Sequence, residues 1–450
     1  MPTLTASRPT TLAARYAAVR AFTEHLCKPL ATEDYVVQSM TDVSPTKWHL
    51  AHTSWFFETF VLRPHAEGYL LFDERYPYLF NSYYVQAGER HCRAQRGYLS
   101  RPTVAEVMAY RRHVDEAMQR FLDGLDELER PDVADVVELG LQHEQQHQEL
   151  MLTDIKHVFS VNPLRPVYRE RPEARAADPG SIQWVEHAGG VVHVGRAAGG
   201  ATSAERFFFD NEGPRHRAFV EPFALAHRLV TCGEYLAFIE DGGYRRAPLW
   251  LSEGWAAVER EGWAAPFYWE DRDGAWWHFT LAGMRPVDPN EPVTHLSYFE
   301  ADAYARWAAH QGGAWAGARL ASEFEWETAA RAVWDGEGLP EGNFVEAGRL
   351  HPAPAEPLAT GDGAPAAPRL LQAFGDTWEW TQSAYTAYPG YRAADGALGE
   401  YNGKWMSGQF VLRGGSCATS RTHIRPTYRN FFHPAATWQF TGLRLARSLR

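Results

Sequence analysis

Cysteine is scarce in this sequence. The four cysteines lie far apart in 450 residues and form no C-x-x-C pair: Cys27, Cys92, Cys232 and Cys417. Disulfide frameworks and thiolate zinc sites both need grouped cysteines. We therefore expect four reduced thiols and no metal site built from sulfur.

An excess of basic residues and a long apolar run are also absent. The formal net charge is -12, whereas a nucleic-acid or anionic-membrane partner would favour a basic face. No apolar run approaches the roughly 18 residues of a membrane span, and the N-terminus MPTLTASRPT lacks the charged and apolar regions of a signal peptide. We expect a cytoplasmic protein with neither kind of partner.

The pattern of the sequence changes near residue 165. Of the 17 tryptophans, two precede this point, and helical spacing of apolar residues gives way to short runs broken by Gly and Pro. These features predict a helical domain over 1–165, an extended Pro-rich linker over 166–181, and an irregular α+β domain over 182–450.

The first domain contains four amphipathic segments that predict helices, over 11–28, 45–63, 103–124 and 132–159. We expect Ser44 to cap the second, with Pro45 at its first helical position, and Asp132 to cap the fourth. Four such helices predict a bundle. In the second domain, helices are predicted over 298–310 and 322–334.

The segment LGLQHEQQHQEL contains the pattern H-E-x-x-H, formed by His143, Glu144 and His147. Residues four apart lie on one face of a helix, so both imidazoles can bind one metal ion. A third ligand is offered by the second helix, where His52 shares the predicted buried stripe with tryptophans and His49 does not. Two helices thus predict a three-histidine metal site.

A zinc metalloprotease is the less favoured interpretation of H-E-x-x-H. Its third ligand should follow the motif, but His157, Glu170 and Glu173 lie at the helix end or in the linker. Glu144, the base of such a protease, is expected here to be a solvated helix residue. The residues themselves leave the choice between zinc and iron open.

Several segments together carry a family resemblance. They are SPTKWHLAHTSWFFE, NSYY, GERHCRAQRGYLSRPT, QHEQQHQELMLTDIKH, RLASEFEWETAARA, GDTWEWTQSAY and YRNFF. With them the chain resembles the sulfoxide synthases of the ergothioneine pathway, which are iron enzymes. The resemblance implies a DinB-like four-helix bundle followed by an irregular domain of the C-type-lectin or formylglycine-generating-enzyme type.

The same resemblance implies a reaction and its ligands. His52, His143 and His147 would bind Fe(II), and O2 would be used to join a sulfur donor to the imidazole ring of hercynine. Gln146 would hydrogen-bond that imidazole, and the segment Asn430, Phe431 and Phe432 would form the pocket for the trimethylammonium group.

Two pairs of residues in the loop over 64–102 complete the implied site. Tyr83 and Tyr84 would provide a proton donor, and Arg93 and Arg96 would bind a carboxylate of the donor. Cys92 departs from the expected pattern, which leaves three donors open. Cysteine is favoured, giving hercynylcysteine sulfoxide; γ-glutamylcysteine, or a selenosugar as in the related selenoneine synthases, are the alternatives.

Two further functions are disfavoured by the residues. Formylglycine generation uses a pair of cysteines, and Cys417 in RGGSCATS has no neighbouring cysteine in the sequence. A non-catalytic binding module is compatible with the second domain. Such a module would not need three convergent histidines.

Overall fold

Two compact units make up the chain, and neither is one continuous segment. The first unit comprises the chain up to Tyr168 together with Ala197–Asp210 and Arg392–Lys404; the second comprises Arg169–Arg196, Asn211–Tyr391 and the chain from Trp405 onward. The structure, a computed structural model, describes residues 11–170, 177–200, 202–357, 360–361, 364–365 and 368–449.

The first unit is helical. Its helices are α1 (Leu12–Cys27), α2 (Thr46–Phe57), α3 (Arg63–His65), α4 (Tyr76–Phe80), α5 (Val104–Asp123), α6 (Pro131–Val161) and α7 (Ser203–Arg206). Helices α1 and α2 each pack against α5 and α6. The four predicted helices and their bundle are confirmed.

The starts of two helices differ from prediction. Pro45, rather than Ser44, occupies the N-cap of α2, because the Ser44 backbone N–H donates to Asp154 and its hydroxyl accepts from Arg96. Helix α6 begins at Pro131 with Arg130 as N-cap, so Asp132 is not the cap. Proline is favoured at a first helical position because it needs no N–H partner there.

Helix α2 is buried on all sides, with every one of its 12 residues shielded from solvent. It continues through a π-helical turn, Glu58–Leu62, and its aromatic residues Trp55, Phe56 and Phe57 belong to the core of the bundle. A helix without a solvent face carries its polar side chains into the interior. Both histidines of α2 are therefore interior residues.

The second unit contains the strands. They are β1 (Trp184–His187), β2 (Gly190–Val194), β3 (His216–Val220), β4 (Phe223–Ala226), β5 (Trp269–Arg272), β6 (Ala275–Thr280), β7 (Gly283–Pro286), β8 (Arg319–Leu320), β9 (Thr360–Gly361), β10 (Ala364–Pro365), β11 (Trp378–Ala384), β12 (Phe410–Arg413), β13 (Asn430–Phe432), β14 (Thr441–Gly442) and β15 (Leu445–Ser448). Two four-stranded sheets have the orders β1-β4-β15-β8 and β13-β12-β11-β14, and a three-stranded sheet has the order β5-β6-β7. The remaining strands form the pairs β2-β3 and β9-β10.

Four helices accompany these sheets: α8 (Cys232–Glu240), α9 (Ser252–Glu261), α10 (Tyr298–Gln311) and α11 (Glu323–Val333). Helices α10 and α11 confirm the two predicted in this region. Ser297 and Ser322 cap them, each reciprocated by a glutamate three residues later, which satisfies N–H groups that a helix start leaves unpaired.

The predicted fold class is confirmed, since a helical region precedes a region of mixed sheets and helices. The division into 1–165, 166–181 and 182–450 stays a prediction, and part of the linker, 171–176, lies outside the described residues. None of the four cysteines, all of them described residues, forms a disulfide bond. Among the described residues, no helix combines the length and apolar character of a membrane span.

Candidate metal centre and cavity

Three histidines of the bundle converge. His52 projects from α2, and His143 and His147 project from one face of α6, where a spacing of four residues brings the two rings together. The Nε2 atom of His143 lies 3.2 Å from that of His52 and 3.1 Å from that of His147. All three side chains are buried.

Hydrogen bonds fix the proton of two of these rings on Nδ1. His52 donates from Nδ1 to the Phe80 carbonyl at 2.6 Å. The Nδ1 atoms of His147 and His49 are 2.8 Å apart, and His49 Nε2 lies 3.0 Å from the Asp154 carboxylate. Because that carboxylate accepts the proton on His49 Nε2, His49 Nδ1 must accept from His147.

The lone pairs of Nε2 therefore face a common point. Burial lowers the pKa of His143 to about 4 and also lowers those of His52 and His147, with neighbouring imidazoles adding to the effect. All three rings are neutral near pH 7, as metal binding requires. Two ligands about 2.1 Å from one ion and about 90° apart are separated by about 3.0 Å. The site fits a transition-metal ion.

Glu144 is not the solvated residue that we expected. Its side chain is buried and is bonded by Arg20, Arg111 and Thr23 at 2.8, 2.7 and 2.6 Å. Burial opposes its ionisation, but the two guanidinium groups lower its pKa to about 2. A carboxylate held in this way is a poor base, which is a further argument against the protease interpretation.

A cavity of about 300 Å³ is lined by one of the three histidines, His143. His143, Gln146 and Tyr84 line it, together with the aromatic run 207–209 and Tyr401. All these residues belong to the first unit. The cavity is large enough for a small imidazole-containing molecule, and its aromatic surfaces suit an organic cation.

Tyr401 is a cavity residue that the sequence did not reveal. Its phenol hydrogen-bonds with Tyr83 and with Gln146, and its pKa is raised by burial to about 12. Tyr401 lies in a short segment far from the bundle helices in sequence, so no helical period predicts its position. It joins two predicted site residues, Tyr83 and Gln146, through hydrogen bonds.

The two loop tyrosines are adjacent rings, with centroids 5.1 Å apart. Tyr84 is buried and lines the cavity, while Tyr83 is half-buried and its ring centroid lies 5.4 Å from that of Tyr401. Burial raises the pKa of both phenols. Both remain protonated at neutral pH and can donate a proton or a hydrogen bond.

The two predicted donor-binding arginines have different environments. Arg96 is buried, lies 3.3 Å from the centre of the Trp48 ring and donates to the Ser44 hydroxyl at 2.9 Å. Burial, with a smaller effect of Arg93, lowers the pKa of Arg96 to about 9, and its Nε has no hydrogen-bond partner among the described residues. Arg93 is exposed and donates to the Asp42 carbonyl at 2.5 Å.

The segment Asn430, Phe431 and Phe432 forms strand β13 of the second unit and pairs with β12. Phe431 stacks on Tyr385 at 4.1 Å, and the Phe432 ring meets Trp438 at 5.9 Å. All three side chains are half-buried, so each keeps some surface exposed.

Two family models match the chain. The DinB superfamily matches residues 15–151, and the sulfatase-modifying factor enzyme 1-like domain matches 181–449. The chain is 34% identical to the hercynine oxygenase of Mycolicibacterium thermoresistibile, over 90% of this chain and 87% of that protein. It is 32% identical to the hercynine oxygenase of Mycobacterium tuberculosis, over 90% and 91%.

A formylglycine-generating enzyme of Streptomyces coelicolor is 29% identical over 54% of this chain and 83% of its own length. That similarity leaves nearly half of the chain unmatched, whereas the hercynine oxygenases match along nine-tenths of it. The chain therefore belongs to the hercynine oxygenase family, the ergothioneine sulfoxide synthases, and joins a DinB-like helical region to a sulfatase-modifying-factor-like domain.

Proposed function

We propose that this protein uses Fe(II) and O2 to couple a thiol donor, cysteine, to the imidazole ring of hercynine, giving hercynylcysteine sulfoxide. The observation that carries the proposal is the convergence of three neutral imidazoles, of His52, His143 and His147, the second of which lines the cavity. Three protein ligands on one side of an ion leave positions open for substrates.

The reaction balances with O2 as the oxidant. The imidazole C–H and the thiol S–H are broken, a C–S bond forms, one oxygen atom ends on sulfur, and the other leaves as water. Iron held by the three histidines would supply the activation of O2, and the protein would orient the reactants and manage protons.

The predicted site residues have distinct roles in this proposal. The Gln146 side chain would bond to the substrate imidazole, while its contact with Tyr401 fixes its orientation. Tyr83, bonded to the same phenol, would supply a proton as O2 is reduced, with Tyr84 as the adjacent candidate. Asn430, Phe431 and Phe432 would bind the trimethylammonium group through aromatic and oxygen contacts.

Arg96 supports a carboxylate-bearing donor. A buried guanidinium whose Nε has no hydrogen-bond partner among the described residues is stabilised by an anion, and a bidentate carboxylate satisfies it well. Cysteine and γ-glutamylcysteine both carry such a group, whereas a selenosugar lacks an amino-acid carboxylate. Arg96 therefore favours an amino-acid thiol over a selenosugar, and we place cysteine before γ-glutamylcysteine because the segment NSYY resembles that of the cysteine-using subgroup.

The test is direct. Fe(II)-loaded protein is incubated with hercynine, O2 and one donor at a time, and products are identified by mass. We expect hercynylcysteine sulfoxide from the parent and none from His143→Ala, with circular dichroism unchanged. If only a selenosugar gives product, the assignment of cysteine as donor is wrong. If no donor gives a hercynine-derived product, the proposed function is wrong.

A further inference from the structure

A second group of metal-binding side chains lies in the second unit. His278, Glu291 and His351 each offer one ligand atom, and these atoms lie within 4.8 Å of one another. The three residues are almost inaccessible to solvent, with 5%, 4% and 2% of their surface exposed. None of these three residues takes part in the site built by the bundle.

Three separate chain segments bring the group together. His278 is in the middle strand of the sheet β5-β6-β7, opposite Arg285 of β7. The backbone carbonyl of Glu291 accepts from the Cys232 N–H at 2.8 Å, and that of His351 accepts from the Asn343 side chain at 2.9 Å. Hydrogen bonds hold the backbone at Glu291 and His351, and pairing within the sheet holds it at His278.

The side-chain geometry suits one shared ion. His351 Nε2 and Glu291 Oε2 form a hydrogen bond of 3.0 Å. Two ligands of a tetrahedral Zn²⁺ ion are about 3.4 Å apart, so a small widening of this contact would let both atoms bind one ion. The rings of His278 and His351 are 5.0 Å apart at 88°, so they approach edge to face. The ligand spacing resembles that of the His52 site, where the Nε2 atoms are 3.1 and 3.2 Å apart.

The chemistry of the group favours a borderline divalent ion. Two imidazoles and one carboxylate form a ligand set that Zn²⁺ accepts, and hard ions such as Ca²⁺ prefer oxygen alone. Burying an ionised carboxylate is unfavourable unless a positive charge accompanies it. A divalent cation bound by Glu291 and His351 would take the place of the hydrogen bond between them.

We propose that His278, Glu291 and His351 bind a Zn²⁺ ion, forming a second metal site in the second unit. Because its three ligands are buried, the ion acts as a structural cross-link between strand β6 and the segments that contain Glu291 and His351. This role is independent of hercynine coupling.

Zinc stoichiometry tests the proposal in the full-length chain. Metal-free protein is dialysed against excess Zn²⁺, and bound zinc is measured by mass spectrometry. Zinc can also occupy the three-histidine site of the first unit, so both sites contribute to the count. We expect two equivalents in the parent, one in His143→Ala, one in His351→Ala, and none in the double variant. A parent with one equivalent, lost in His143→Ala and retained in His351→Ala, would overturn the second site.

Two further variants guard against simple misfolding. Glu291→Gln keeps the size of the side chain but removes its charge, so it should lose most of the second equivalent while circular dichroism stays unchanged. His227→Gln alters a buried histidine of the same unit outside the group and should retain both equivalents. Two retained equivalents in Glu291→Gln and His351→Ala would place the second zinc elsewhere and refute the assignment.

Discussion

At the scale of single residues, His49 occupies a position that is easily mistaken for that of a ligand. Its Nδ1 accepts a hydrogen bond from His147, and its Nε2 donates to Asp154. This chain of bonds orients the His147 ring, and it would increase the basicity of the nitrogen that binds the proposed ion. His49 is thus a positioning residue that acts through its hydrogen bond to His147.

We expect His49→Ala to weaken Fe(II) binding by about 10–100-fold, because it removes the partner of a metal ligand. His49→Gln should recover part of the affinity, since a carboxamide oxygen can accept from His147 Nδ1. Affinity is measured by competition with a chelator. His113→Ala, on the outer side of the bundle, serves as control, and an unchanged affinity in His49→Ala would refute the role.

Arg96 should determine the affinity for a carboxylate donor. Charge-assisted hydrogen bonds contribute roughly 1.5–3 kcal/mol each, so Arg96→Ala should raise the KM for cysteine about tenfold or more. The KM for hercynine should barely change. The matched control is Arg90→Ala, an exposed arginine of the same segment. Equal effects on both substrates would argue against a donor-specific contact.

Tyr83 should affect the partition between products. Tyr83→Phe removes the proposed proton donor and its bond to Tyr401, so coupling should slow by about 100-fold or more while cysteine oxidation persists. The ratio of sulfoxide to oxidised cysteine is the measurement. Tyr78→Phe, an exposed phenol in the same loop, should behave like the parent. If Tyr84→Phe alone changes the ratio, the adjacent tyrosine is the donor.

At the scale of secondary structure, helix α6 carries two different polar groups on different faces. One face presents His143 and His147, and another presents Glu144 to arginines of α1 and α5. These ion pairs connect three helices of the bundle in its interior. Removing one of the two arginines leaves the buried Glu144 carboxylate with a single guanidinium partner, which is destabilising.

Arg111→Ala should therefore lower the free energy of unfolding of the first unit by about 3–5 kcal/mol. Arg111 bonds Glu144 and the Arg20 carbonyl and is fully buried. Its neighbour Arg112 is exposed on the same helix, and Arg112→Ala should change stability little. Urea denaturation of both variants makes the comparison, and similar losses would show that the buried charges are not decisive.

Helix α10 makes stability depend on pH. Burial raises the pKa of Glu300 from 4.5 to about 7, and hydrogen bonds from Tyr244 and Ser297 partly oppose this rise. The folded state binds the proton of the Glu300 carboxyl group more tightly than the unfolded state does. The stability that this proton contributes is therefore complete below about pH 4.5 and is lost as pH rises to about 7.

The size of that loss is about 3 kcal/mol, at about 1.4 kcal/mol for each pKa unit. Glu300→Gln cannot titrate, so its free energy of unfolding should fall less than that of the parent between these pH values. Urea unfolding as a function of pH measures the difference. Parallel curves for the two proteins would mean that Glu300 titrates normally.

At the scale of the whole molecule, the features that follow from local periodicity were predicted from the sequence, whereas contacts between distant segments were mostly missed. The four bundle helices and the convergence of His52 with His143 and His147 follow from spacing within single helices. The burial of Glu144 was missed because its partners, Arg20 and Arg111, are on other helices. Seven residues separate His147 from Asp154, so both lie on one face of α6, and that spacing could have indicated a second layer around the histidines.

Tyr401 shows the limit of the sequence more clearly. It contacts Tyr83 across more than 300 positions of the chain, and nothing in GALGEYNGKW indicates that contact. Such pairings depend on the closure of long loops, which no local pattern encodes. The sequence could therefore predict the cavity residues on helix α6, such as His143, but not the aromatic residues that distant segments contribute.

The three-segment composition of the first unit has a consequence for synthesis on the ribosome. The histidine-bearing helices are complete once Val161 has emerged, but Tyr401 and the rest of Arg392–Lys404 are translated much later. During that interval a nascent chain can assemble its imidazoles without the wall that encloses the cavity. The part of the cavity wall that contains Tyr401 is therefore added only after Arg392–Lys404 has been synthesised.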